Sequence, residues 1–240
     1  MRRLETDLPG ARAVFSTRIG GVSSGPFESL NLGVLTDDAE ENVVENRARL
    51  AAALGVAAPS IAIGRQVHGS ELARHDSAQD PSPYARPGSP IPEVDGHVVA
   101  AGGPAALVFV ADCLPVALAG PGGLAILHCG WRGLAAGIVA RGAEAVAATD
   151  AAIGPGIGSC CYEVGDEVLS AFAPLGAGVS AGRMLDLPEV ARRLLAEAGV
   201  AKVESAGLCT SCEPELFYSH RRDRGKTGRQ AGLVVPAEAA

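Results

Sequence analysis

Residues 105–133 read AALVFVADCLPVALAGPGGLAILHCGWRG. Two apolar runs, Ala105–Ala111 and Gly123–His128, have strand length and are bounded by turn formers, and Pro115–Leu118 supplies a shorter run between them. The GWRG that follows leads into Leu134–Ala148, an alanine-rich pattern that predicts a helix. Strands passing directly into a helix place this stretch in a mixed α and β architecture.

The same alternation continues outward in both directions. Upstream, Arg12–Thr17 alternates and runs into Gly20 and Gly21, and Ile61–Val67 and Gly96–Ala100 read as further strands. Downstream, Ala151–Gly154, Lys202–Ala206 and the TGRQAGLVV segment, residues 227–235, do the same. A helix is expected over Asp38–Leu54, opened by a capping box of Asp37 and Glu40 and stopped by Gly55. Others are expected from about Asp166 and over Leu187–Ala198, with Gly199 as the stop. The proline-rich segment Ser77–Pro92 reads as a surface loop, and no repeat of fixed period occurs. The expected class is α+β, with mixed β-sheets flanked by helices in one domain over residues 1–240.

Composition excludes several functions. The net charge of −7 lacks the electrostatic footprint of a general nucleic-acid binder. The N-terminal MRRLETDLPG has no apolar run after its arginines, so no signal peptide is expected. The longest uncharged stretch, Val98–Ala111, is too short to span a bilayer. A cytoplasmic protein with no membrane partner follows, its six cysteines reduced thiols or ligands. The one basic cluster, Arg221, Arg222, Arg224, Lys226 and Arg229, suits an anionic small molecule or a solvated loop.

Three soft-metal donors lie near the ends of the strand-like runs: His68, Cys113 and His128. Two imidazoles and a thiolate suit zinc in an open three-ligand site, with a fourth position for water or substrate. Separations of 45 and 15 residues mean that tertiary folding must bring them together. Copper fits less well, because Met1 and Met184 are remote from these motifs and five histidines are too few for a multi-copper cluster. A metal-free alternative uses Cys113 as a thiolate nucleophile with His128 as its base. Asp95 and Glu163 are further candidates for proton transfer, and Asp112 for a supporting carboxylate or turn anchor.

Val43, Arg47, Leu50 and Leu54 share one stripe of the first helix, so Arg47 projects from a buried face and calls for an anion, structural or bound. The glycines of GPGIGSCCYEVG, residues 154–165, free backbone N–H groups for a weak anion nest. Cys209 and Cys212 form a single C-x-x-C with no second such pair, which reads as packing rather than a metal site.

Together, TRIGGVSSGPFESLNLG, ENVVENRARL, QVHG, VDGHV, ADCLPV, HCGWRG, GPGIGSCCYEVG and RRDRGKTGRQAG, in that order, resemble the laccase-domain (YfiH-type) purine nucleoside phosphorylase family, formerly described as multi-copper polyphenol oxidoreductases. The resemblance covers nearly the whole chain. It implies a zinc enzyme that cleaves purine nucleosides such as adenosine and inosine with phosphate, giving base and ribose 1-phosphate, with adenosine deaminase and methylthioadenosine phosphorylase activities in the same site. It maps the metal ligands, and with them catalysis, onto His68, Cys113 and His128. It makes Arg47 and Asn31 candidate substrate contacts in a monomer or homodimer. A Cys/His hydrolase or amidase and a copper-dependent polyphenol oxidase are the alternatives. Cys129 stands where the family usually has Ala, Ser159 where Pro is common, and RRDRGKTGRQAG carries one extra residue.

Overall fold

The computed structural model describes residues 1–77, 83–86 and 90–237. A five-stranded sheet is built from β1 (Arg3–Leu8), β2 (Ala11–Ser16), β3 (Ile61–Ala62), β6 (Ala105–Val110) and β13 (Gln230–Pro236), in the order β1-β2-β13-β6-β3. A six-stranded sheet contains β4 (Leu72–His75), β5 (Gly96–Val99), β7 (Leu114–Gly120), β8 (Gly123–Cys129), β9 (Asp150–Ile153) and β12 (Lys202–Ser205), in the order β12-β9-β7-β8-β5-β4. β10 (Ser180–Ala181) and β11 (Met184–Leu185) form a small hairpin. Both large sheets are mixed: β3 pairs parallel with β6, β4 with β5 and β12 with β9, and the other pairs are antiparallel.

Period-two alternation explains how the sheets stack. Leu124 and Ile126 of β8 enter the same apolar cluster as Val108 and Val110 of β6, whereas Ala125, Leu127 and Cys129 enter another with the helices. The two sheets therefore pack face to face through one set of side chains. The outer face of the six-stranded sheet is covered by α2 (Trp131–Ala135), α3 (Ile138–Val146), α4 (Asp166–Phe172) and α5 (Leu187–Glu197). The outer face of the five-stranded sheet is covered by α1 (Glu40–Leu54), whose Leu50, Ala51 and Leu54 meet Leu107 and Leu233. Burying each such leucine contributes about 1.5–3 kcal/mol. The α+β class with mixed sheets flanked by helices is what the patterning predicts.

Several local expectations need correction. α1 begins at Glu40 behind Ala39, which makes no side-chain cap; the Asp38 carboxylate instead accepts from Ser23 and Asn31, so no capping box forms. Gly55 does end α1, with φ 72°. The helix expected over Leu134–Ala148 starts earlier and is broken, because Gly137 at φ 84° separates α2 from α3. β3 pairs only at Ile61 and Ala62, after which the chain leaves the sheet. In its place the Gln66 amide continues the ladder, donating to the Phe109 carbonyl at 2.7 Å and accepting from the Phe109 N–H at 2.8 Å. Part of the proline-rich segment lies outside the described residues, but Tyr84 within it is fully buried.

The amides of GPGIG are spent internally: Ile157 N–H donates to the Asp112 carbonyl and Gly158 N–H to Cys209 Sγ, so this loop is no anion nest. Cys209 and Cys212, expected only to pack, stand beside Cys160 and Cys161. Among the described residues, no helix is long and apolar enough to cross a membrane.

Candidate metal centre

His68, Cys113 and His128 converge, their donor atoms lying within 4.8 Å of one another. His128 sits near the end of β8 on the face turned toward the other sheet, two residues beyond Ile126. Cys113 occupies the turn between β6 and β7, and His68 the loop after β3. The two imidazole rings meet edge to face with centroids 4.9 Å apart.

Asp95 organises the centre. Its carboxylate accepts from the backbone N–H groups of Val67, His68 and Gly69 at 3.1, 2.9 and 2.7 Å, and from His128 Nδ1 at 2.8 Å. Burial alone would raise its pKa, but the His128 contact and the backbone donors prevail and hold it near about 2. A permanently ionised acceptor on Nδ1 leaves His128 Nε2 as the free ligand atom. The sequence placed Asp95 beside Glu163 as an unranked carboxylate; the structure separates them, since Glu163 is exposed and does not line the cavity. Asp112 anchors a turn at φ 90°, accepting from the Thr210 hydroxyl at 2.6 Å and the Arg221 N–H at 2.7 Å.

Cys113 and His128 each favour the charged form of the other. Burial opposes the Cys113 thiolate, yet His128 and then His68 bring its pKa down to about 6. Burial likewise opposes the His128 imidazolium, but the Cys113 charge and Asp95 raise it to about 9. The same thiolate and an oriented Nε2 suit a soft or borderline cation. Gly130 leaves room for one: a Cβ there would stand 2.9 Å from Cys113 Sγ and 3.3 Å from His68 Cδ2. Cys129 adds no donor, because its side chain is fully buried in the helix-side core.

The three donors open onto a cavity of about 800 Å³, a size suited to a small organic ligand. Arg47, Arg221 and Arg229 line it, with Phe109, Trp131 and Tyr162 as aromatic walls. Arg47 is 2% exposed, and burial lowers its pKa to about 10. Its guanidinium donates to the Leu32 and Tyr84 carbonyls at 2.9 and 3.0 Å and lies over the Tyr84 and Phe109 rings. Among the described residues, no carboxylate pairs with it. Asn31 does not line the cavity; its amide bonds Gly33, Thr36, Asp38 and Arg229, which fixes the loop that does. Sequence reasoning missed Gln66, Gly130 and the aromatic walls, whose roles depend on which segments meet.

A two-layer sheet sandwich with helices outside and a His/Cys/His centre at one end defines the class, and the chain belongs to the multi-copper polyphenol oxidoreductase laccase family, whose sequence profile matches residues 12–237. It is 38% identical to the protein named purine nucleoside phosphorylase YlmD of Geobacillus stearothermophilus, over 94% of this chain and 90% of that one. It is 41% identical to the purine nucleoside phosphorylase of Deinococcus radiodurans, over 92% and 87%. The crystal structure of Bacillus licheniformis protein YfiH superposes with a TM-score of 0.86 at 33% identity, covering 95% of this chain and 93% of that one.

Proposed function

We propose that the chain is a zinc-dependent purine nucleoside phosphorylase that cleaves adenosine and inosine with phosphate to the base and ribose 1-phosphate. In this reading the same cavity supports adenosine deamination and methylthioadenosine phosphorolysis. The observation that carries it is the convergence of His68, Cys113 and His128 at a cavity that is also lined by arginines and aromatic walls. The names of the relatives supply the substrate class.

His68, Cys113 and His128 would hold zinc, which when bound supplies Lewis-acid polarisation of a ligand oxygen. Asp95 keeps the proton on His128 Nδ1 and so fixes the ring. Arg47, on α1, and Arg229, just before β13, both line the cavity and provide charge for phosphate. Phe109 and Tyr162 offer faces on which a purine can stack. Asn31 contributes by bracing the Gly33–Thr36 wall. Six free thiols accord with a reducing cytoplasm.

Purified protein incubated with adenosine should release adenine only when phosphate is present, and should also form inosine, as separated by chromatography. Absence of both products would sink the reading. A second reading rests on Cys113 standing beside His128, whose Nδ1 is held by Asp95, the arrangement of a thiol hydrolase. It requires full activity in metal-stripped protein and loss of that activity on alkylation of Cys113. The zinc reading requires the opposite result on stripping and recovery with added zinc.

A further inference from the structure

Away from the cavity centre, Cys160, Cys161, Cys209 and Cys212 gather their sulfurs within 4.8 Å of one another. Cys212 Sγ lies 3.3 Å from Cys160 Sγ and 3.4 Å from Cys161 Sγ. A zinc ion bound tetrahedrally at about 2.3 Å from each sulfur sets sulfur–sulfur edges at about 3.8 Å, so these separations suit a single ion. They are too long for a disulfide, whose sulfurs stand about 2.05 Å apart. A four-iron cluster would hold its thiolates farther apart than one ion does. We propose that these four cysteines form a second metal site, a structural zinc tetrathiolate independent of the His/Cys/His centre.

The backbone is shaped for this. In a strand, Cys160 and Cys161 would point to opposite faces. Here they occupy a turn in which the N–H groups of Cys161 and Tyr162 both donate to the Gly158 carbonyl, and both sulfurs reach the same side. The opposing pair has the C-x-x-C spacing of structural zinc ligands. Gly158 N–H donates to Cys209 Sγ at 3.3 Å, and the Ser211 and Cys212 N–H groups also face that sulfur. Amide donors aimed at a sulfur stabilise thiolate, the form a metal requires. Binding releases the thiol protons to solvent and needs no redox partner.

The site has a structural task. Between β12, ending at Ser205, and β13, starting at Gln230, the chain forms no helix or strand, yet this stretch carries the cavity residues Arg221 and Arg229. Irregular segments of that length need pinning. A parallel bridge joins Gly156 to Cys209, and the ion would lock the Gly156–Tyr162 loop against it. Tyr162, next to Cys161, carries the Arg221 guanidinium over its ring at 5.2 Å, so the clamp sets one wall of the cavity.

The test uses the full chain carrying Cys113→Ala, which removes a donor of the first centre, purified under reducing conditions. One zinc per chain is expected by elemental analysis, with an all-sulfur shell by X-ray absorption and intense thiolate-to-metal absorption after cobalt exchange. Adding Cys209→Ser and Cys212→Ser should abolish that metal and lower Tm by roughly 5–10 °C. If the triple variant does not fold, the Cys113→Ala protein alone decides. An empty cluster, a Cys160–Cys212 disulfide, iron in place of zinc or a shell containing nitrogen overturns the proposal.

Discussion

Asp95 shows how much one buried carboxylate can determine. Four donors converge on its two oxygens, three from consecutive backbone amides around His68 and one from the His128 ring. It fixes two of the three donors of the centre together, although they are 60 positions apart in the chain. Asp95→Asn keeps the shape but removes the charge and presents N–H groups toward donors. Metal affinity at this centre should fall about 10–100-fold, measured by competition with a chromophoric chelator. Undiminished affinity would mean that Asp95 supports only the backbone. A second buried polar group, His97, predicts an acid response. It contacts His75 through Nδ1 at 3.0 Å, and its Nε2 has no partner among the described residues. Burial, aided by His75, depresses its pKa to about 3. The folded protein therefore keeps His97 neutral where the unfolded chain, with a pKa near 6.5, takes up a proton. Because the folded value is the lower one, the stabilisation is complete above about pH 6.5 and is lost as pH falls from there toward 3, by up to about 1.4 kcal/mol per pH unit. Burial lowers the His75 pKa as well, against the opposing pull of Asp76, so both rings act in the same sense. The urea midpoint of metal-free protein should fall steadily from pH 6.5 to 5, and His97→Leu should flatten that slope; equal slopes would contradict the assignment.

Elements meet closely where β13 crosses β7. A Cβ at Gly232 would lie 2.2 Å from Pro115 Cβ, and one at Gly154 would lie 2.4 Å from Phe15 Cδ1. No flexible side-chain end is available to yield at Pro115, so Gly232→Ala must move one sheet against the other. It should cost about 1–3 kcal/mol in equilibrium unfolding, with the cavity residues displaced along with β13. A loss below about 0.5 kcal/mol would show that the sheets slide freely. Local pattern made most of these elements legible: apolar runs marked β6, β8 and β13, and Gly55 marked the end of α1. What the pattern missed was tertiary. Gly137 breaks a continuous-looking helix because α3 must turn to lie on β8. Gln66 replaces a strand by a side-chain amide, which has no periodic signature. Arg47 was legible as buried from its stripe; among the described residues its partners are carbonyls and ring faces rather than a structural carboxylate. The three donors were legible by residue type. The four cysteines were not, because Cys160 and Cys209 become neighbours only when Gly156 pairs with Cys209.

The cavity belongs to no single layer of the molecule. α1 contributes Arg47, the five-stranded sheet Phe109, the six-stranded sheet His128, and the segment before β13 Arg221 and Arg229. Hydrogen bonds tie these parts together: Gln66 to Phe109, Asp95 to three amides and His128, and Asp112 to Thr210 and Arg221. The His/Cys/His donors are therefore preorganised, so that an ion bound there as proposed would serve the chemistry rather than the folding. Cys113→Ala discriminates between these roles. The variant should keep the wild-type far-UV circular dichroism and a single cooperative urea transition, with Tm lowered by no more than roughly 10 °C, the scale of a lost ligand. Nucleoside cleavage should meanwhile fall at least about a thousandfold, equivalent to roughly 4 kcal/mol of transition-state stabilisation. A variant that loses its cooperative transition would make the centre a folding nucleus. One that folds and still cleaves adenosine with phosphate would remove Cys113 from the chemistry and leave the arginines and aromatic walls of the cavity to account for it.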